Sequence, residues 1–209
     1  MVNHKHKYIY TKIGKSASTS ILKMLESVSY RNDYHKRGHF HLVDDITNET
    51  KNYFKFSFVR NPWDRTISRY HYIKEKTLKL GKFSDPVRTA TFEEFVMEPE
   101  RFNKPYDWVK RSPNLIRIFK EMSHFENQID WLTDIDGNFL ADYVGKIENL
   151  KDDLEQVCSI LKIPTPEILH VNKSNHQEYI KYYTNNKMID AVAKLYERDI
   201  KKFNYKFEK

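Results

Sequence analysis

Apolar positions along this chain follow two rhythms that alternate from the N-terminus onward. Lys7 to Thr11 is a short aromatic and β-branched run. A stretch of small polar residues follows, and then an apolar period at Ile21, Leu25 and Val28, so the pattern predicts strand, loop and helix in that order. Phe54 to Val59 reads as a second, buried strand. Behind it, Asn61 is an N-cap, Pro62 occupies the first helical position and Asp64 adds an acid to the first turn, predicting a helix to about Lys76. Asp142 to Ile147 is a third strand candidate. It leads to Asn149 as a cap, Asp152 and Asp153 in a first turn, and a helix with Leu154, Val157 and Leu161 on one face, closed by Pro164 and Pro166. A last helix is predicted from about Lys187 to Phe203, with Ile189, Val192, Leu195, Tyr196 and Ile200 as its apolar stripe. Strands alternating with helices predict an α/β, three-layer fold with a central parallel sheet flanked by helices.

Between Thr77 and Asp130 the helical rhythm weakens, although Thr91 and Glu94 form a capping-box signature ahead of Phe95. That stretch either walls an acceptor pocket or adds a helical layer to the sheet. No repeat, low-complexity block or Gly/Ser linker interrupts the 209 residues, so residues 1–209 are expected to form a single domain. With 14 Tyr, 13 Phe and 3 Trp the chain has the large apolar groups that a disordered sequence lacks. No apolar run approaches the ~20 residues of a membrane span, and the start lacks a signal-peptide core, so the expectation is a soluble, cytoplasmic protein with no membrane span. The single cysteine, Cys158, sits among Leu154, Val157 and Leu161 as a small core residue. A formal net charge of +7 points to an anionic partner without naming it.

Motifs narrow the choice. The stretch Lys12 to Ser20, KIGKSASTS, lies between the first strand and first helix, where backbone N–H groups and the helix dipole converge on an anion. Ser16, Ala17 and Ser18 are small enough to let the backbone approach phosphate oxygens, Thr19 and Ser20 add hydroxyls, and Lys15 supplies a mobile charge beside Gly14. Gly14-Lys15-Ser16 invites a Walker A reading, but the first glycine of that pattern would fall at Ile9, and the second strand leads into Arg60 rather than an acid suited to Mg²⁺.

IGKSASTSI resembles the 5′-phosphosulfate-binding loop of the Golgi-type carbohydrate sulfotransferases, usually written I-P-K-T-G-G-T-S, and is similar to the A-S-T-S variant of heparan sulfate 2-O-sulfotransferases. The resemblance implies a P-loop-type fold and 3′-phosphoadenosine 5′-phosphosulfate as co-substrate, with no metal. It places Lys15 at the sulfate-bridging and leaving phosphate oxygens, and Gly14 stands where the family usually has proline. SFVRNPWDRTISRY, from Ser57 to Tyr70, resembles the 3′-phosphate signature of the same family, which makes Arg60 and Ser68 the clamp. A guanidinium fork suits phosphate, and a helical serine adds a hydrogen bond. Trp63 and Arg65 in the same segment read as packing and surface residues.

Between these motifs, YHKRGHFHLVDD carries His35, His39 and His41. A histidine titrates where a base that removes a hydroxyl proton is useful, and the residues alone leave both His39 and His41 eligible. The family's H-G-H segment implies His39, matched by Gly38-His39, with Arg37 in place of the first histidine. DYVGKIENL resembles the family's later strand, acid and helix, while HVNKSNHQEYIKYYT resembles its late loop over the donor, which implies Lys173 and Ser174 on the 3′-phosphate side. The implied acceptor is a hydroxyl of a glycan, and neither nucleic acid nor a membrane is an expected partner. Two other classes stand beside this one: a P-loop kinase using ATP, and a basic module that binds polyanions without catalysis.

Overall fold

The structure is a computed structural model that describes residues 1–35, 41–79, 86–102, 125–169 and 178–208. Its contacts divide the chain into two compact units, Met1–Asn61 with Gln128–Lys173, and Pro62–Asn127 with Ser174–Lys209.

The first unit is built on a five-stranded sheet. Strands β1 (Val2–Asn3), β2 (Tyr8–Thr11), β3 (Tyr34–His35), β4 (Phe54–Val59) and β5 (Tyr143–Lys146) lie in the order β3-β1-β2-β4-β5. The sheet is mixed rather than parallel: β2, β4 and β5 run parallel, while β1 is antiparallel to both β2 and β3. The two strands absent from the sequence reading are two residues long, too short for an alternating pattern to register. Tyr8, Tyr10, Phe56 and Phe58 share one face of the sheet and form a cluster with Ile21, Leu22, Met24 and Leu25 of α1 (Ser18–Ser27), and with Leu154, Val157 and Cys158 of a later helix. Ile9 and Val59, on the opposite face, are buried as well, which is why these strands read as continuous apolar runs. Gly145 in β5 is set by close approach: a Cβ there would lie 2.5 Å from the Phe58 ring.

The second unit is helical. It holds α2 (Pro62–Lys79), α3 (Phe92–Met97) and α4 (Pro99–Phe102). The later helix of the first unit is α5 (Leu150–Leu161), and α6 (Asn186–Leu195) and α7 (Glu197–Phe203) also belong to the second. Helix α2 starts at Pro62 as its sequence predicts, and runs three residues past Lys76. Thr91 and Glu94 form the reciprocal capping box. The expected single C-terminal helix is broken at Tyr196, whose backbone leaves helical geometry and whose ring is buried 5.7 Å from the Arg65 guanidinium carbon. Arg65 is therefore an interior residue and not a surface one: it donates to the Glu126 carbonyl at 2.8 Å, while Arg69 bonds the Glu126 carboxylate at 3.2 Å. Trp63 packs as expected, its indole N–H donating to the Ile189 carbonyl. No helix among the described residues is long and apolar enough to cross a membrane.

Candidate active site

Three chain segments meet at the carboxyl edge of the three adjacent parallel strands. Thr11, the last residue of β2, pairs with Ser57, and Val59, the last of β4, pairs with Lys146, the last of β5. The loop from Lys12 to Ala17, the Arg60-Asn61 corner and the turn Ile147–Asn149 therefore leave the sheet on the same side. In open α/β sheets this edge is where ligands bind.

The first loop is compact and strained. Ser16 is buried, and its hydroxyl donates to the Ile13 carbonyl at 2.9 Å, folding the loop on itself. Lys15 and Ala17 hold left-handed backbone angles, with φ of 69° and 52°, although neither is glycine. The strain falls there and not at Gly14. Helix α1 starts immediately afterwards with Ser18, Thr19 and Ser20, and Ala17 at its N-cap contributes no side-chain hydrogen bond. Its first turn contains no acid, whereas α2 has Asp64 and α5 has Asp152 and Asp153. The start of α1 thus has no side-chain cap from Ala17 and no acid, and presents a positive dipole end beside the hydroxyl-bearing Ser18, Thr19 and Ser20 and beside Lys15.

Arg60 follows the last residue of β4. Its Nη1 donates to the Lys15 carbonyl at 3.4 Å, which places the guanidinium against the loop. Its backbone N–H donates to Gln128 Oε1 and its carbonyl accepts from Gln128 Nε2, each at 2.9 Å. The next N–H, of Asn61, donates to Glu148 Oε1 at 2.6 Å. Glu148 is the acid after the later strand in DYVGKIENL, so its presence was readable from sequence, but its partner was not. Gln128 carries no motif, and sequence reasoning missed it. Asn149 occupies the N-cap position of α5 without capping through its side chain; Asp153 instead bonds the Lys146 N–H at 2.6 Å and the Tyr143 hydroxyl at 2.9 Å. Burial and that carboxylate raise the Tyr143 pKa.

The structure therefore brings together Gly14, Lys15, Ser16, Ala17, Ser18, Thr19, Ser20 and Arg60 in one unit. Ser68 is buried in α2, in the second unit. His39, Lys173 and Ser174 lie outside the described residues. His41 is built into the interior: it is 1% exposed, its ring stacks on Trp131 at 4.5 Å, and Nδ1 lies 2.7 Å from the Asp130 carbonyl. A carbonyl can only accept, so Nδ1 carries the proton. Burial pushes the His41 pKa down to about 4, against the smaller opposing effect of the Asp130 carbonyl. Cys158 is buried with a raised pKa, as suits a core thiol. Among the described residues no group of three or more His, Cys, Asp or Glu side chains is arranged to hold a metal ion.

This strand, loop, helix and arginine arrangement is matched at the level of the whole chain, with residues 1–206 aligning to the Sulfotransferase family. The chain belongs to that family. Membership carries its general chemistry, transfer of a sulfuryl group from a donor of the 3′-phosphoadenosine 5′-phosphosulfate type. Among sulfotransferases, Carbohydrate sulfotransferase 10 from Xenopus laevis is 25% identical in a 243-residue alignment that covers 98% of this chain and 66% of that protein. The chain thus spans just under two thirds of that relative's length. An uncharacterized protein from Archaeoglobus fulgidus is 24% identical over 131 residues, 62% of this chain and 84% of its own. The crystal structure of a sulfotransferase from Alicyclobacillus acidocaldarius aligns over 96% of both chains at 14% identity, with a TM-score of 0.47.

Proposed function

We propose that this chain is a single-domain sulfotransferase with a P-loop-type donor site, transferring the sulfuryl group of 3′-phosphoadenosine 5′-phosphosulfate to a hydroxyl of a carbohydrate. The observation that carries the donor site is the meeting of the Lys12 to Ala17 loop, the acid-free start of α1 and Arg60 at one edge of the sheet. The carbohydrate acceptor rests on the motif resemblance and on the name of the Xenopus relative.

In this reading the small side chains of Ser16, Ala17 and Ser18 let the loop amides reach the donor's 5′-phosphosulfate, the hydroxyls of Thr19 and Ser20 add donors, and Arg60 and Ser68 select its 3′-phosphate. Lys173 and Ser174 add contacts on the same side. The acceptor oxygen forms its bond to sulfur as the bond from sulfur to the donor's bridging oxygen breaks. Lys15 neutralises the charge that grows on that oxygen, and His39 takes the acceptor proton. His41, neutral and held to Asp130, shapes the adjoining core instead of acting as the base.

The kinase alternative is opposed by two features of the fold. Ile9, where the first Walker glycine would stand, is buried within β2, and the strand beside it is followed by Arg60 rather than by an acid. Thermal unfolding with nucleotides tests the reading. Adenosine 3′,5′-bisphosphate is expected to raise the melting temperature more than AMP or Mg-ATP does. A larger shift with Mg-ATP would favour the kinase, and a shift with polyanions alone the binding module.

A further inference from the structure

Beyond the residues that would touch the donor, the corner between β4 and α2 is held in an unusual way. Val59 is the last residue of β4 in the sheet ladder, paired with Lys146. At Arg60 and Asn61 the backbone has left the ladder without yet entering the helix that starts at Pro62. Backbone groups at such a corner need partners from elsewhere. Here side chains supply them from distant parts of the sequence. The Gln128 amide takes both polar groups of Arg60, accepting from the N–H and donating to the carbonyl at 2.9 Å each, and Glu148 accepts from the Asn61 N–H at 2.6 Å.

We propose that Gln128 and Glu148 are positioning residues for the 3′-phosphate clamp, fixing the backbone on either side of Arg60 so that its guanidinium meets the donor at the Lys15 loop; the proposal rests on the reading of Arg60 as a donor-binding residue. Three observations carry it. Gln128 is 0% exposed, so its amide has no water to fall back on, and only a group with one donor and one acceptor at that reach satisfies both Arg60 groups. Glutamate there would lack the donor, and asparagine would be one methylene short. Next, two of the hydrogen bonds are to the backbone of Arg60, whose guanidinium also touches the loop at the Lys15 carbonyl. An arginine side chain has many accessible rotamers, and anchoring its Cα limits where the fork can reach. Finally, Glu148 extends from the turn Ile147–Asn149 that follows β5, so the edge strand of the parallel trio is tied to the corner that closes its neighbour.

The test separates positioning from simple support of the fold. Dissociation constants for adenosine 3′,5′-bisphosphate and for AMP are measured by calorimetry on the full chain, and their ratio reports use of the 3′-phosphate. Arg60→Ala is expected to reduce the preference for the bisphosphate by about tenfold or more, the effect of losing a charged hydrogen bond. Gln128→Ala and Glu148→Ala are expected to reduce it by at least about threefold, with AMP affinity unchanged, as for residues coupled in one network. Glu148→Gln keeps an accepting oxygen and should retain the wild-type ratio. Adding Glu148→Ala to Arg60→Ala should change nothing further. If Gln128→Ala does not fold, Glu148→Ala decides, since Glu148 is an exposed residue. Equal losses for both nucleotides, or an unchanged ratio in the Glu148→Ala protein, would overturn the positioning role. An unchanged ratio in Arg60→Ala would instead overturn the clamp reading beneath it.

Discussion

The Arg60 guanidinium donates to the Lys15 carbonyl at 3.4 Å, so the residue that closes β4 rests on the loop that closes β2. That contact ties the two halves of the proposed donor site to each other through side chain and backbone. Arg60 is half-buried, and truncating it leaves the core intact. Arg60→Ala is accordingly expected to fold normally while losing about 1.5–3 kcal/mol of affinity for adenosine 3′,5′-bisphosphate, the scale of a hydrogen bond to a charged group. Calorimetric titration checks this, and wild-type affinity would count against the clamp.

The strain in the loop is a separate expectation. Ala17 takes a left-handed φ of 52° at the N-cap of α1, where alanine offers neither conformational ease nor a capping oxygen. Glycine there removes a steric cost of about 1–2 kcal/mol and adds back part of it as chain entropy, so Ala17→Gly should stabilise the protein by roughly 0.5–1 kcal/mol. Urea unfolding measures it. A loss of stability would mean that the Ala17 methyl is held by packing worth more than the strain.

His41 gives the fold a pH dependence of definite sign. Its pKa falls from the ordinary 6.5 to about 4 on burial, so the unfolded chain takes up the proton first as pH drops. Stability is full above pH 6.5 and is lost progressively as pH falls towards 4. At about 1.4 kcal/mol per pKa unit the loss is roughly 3 kcal/mol. His41→Phe, which keeps an aromatic ring for the Trp131 stack, should lack this acid-sensitive component. Parallel stability curves for the two proteins between pH 4 and 7 would refute the assignment.

How much of this was legible beforehand depended on whether a residue's role is local. The loop after β2 and the corner after β4 are set by short-range chemistry: small residues before an apolar period, then Asn61-Pro62 before another. Both were readable. The antiparallel strands β1 and β3 were not, because a two-residue strand has no periodicity and exists only through its pairing with distant chain. Gln128 was invisible for the same reason, its partner being 68 residues away. Arg65 was misplaced because an arginine early in a helix reads as exposed, and only the Glu126 carbonyl and carboxylate show that the interior accepts it. His41 looked equivalent to His39 in sequence until Asp130 and Trp131, both remote, were seen to enclose it.

The base assignment yields its own expectation. With His41 in the core, His39 is the histidine of that segment proposed to accept the acceptor proton, and His39→Ala should lower turnover by about 10²–10⁴ while donor binding stays near wild type. Activity should rise with pH through one apparent pKa, and that limb should vanish in the variant, since only neutral imidazole accepts a proton. Full turnover in His39→Ala would send the search for a base to a carboxylate.

Transfer itself is the most direct test. Donor carrying labelled sulfate is incubated with the protein and a panel of glycans, lipids and small hydroxylated compounds, with Lys15→Ala in parallel. The expected result is label on a carbohydrate hydroxyl, stoichiometric release of adenosine 3′,5′-bisphosphate, and a Lys15→Ala protein that still binds the bisphosphate but turns over far more slowly, as the proposed action of this lysine on charge developing in the transition state requires. Label on no acceptor of any class, or wild-type turnover without Lys15, would contradict it.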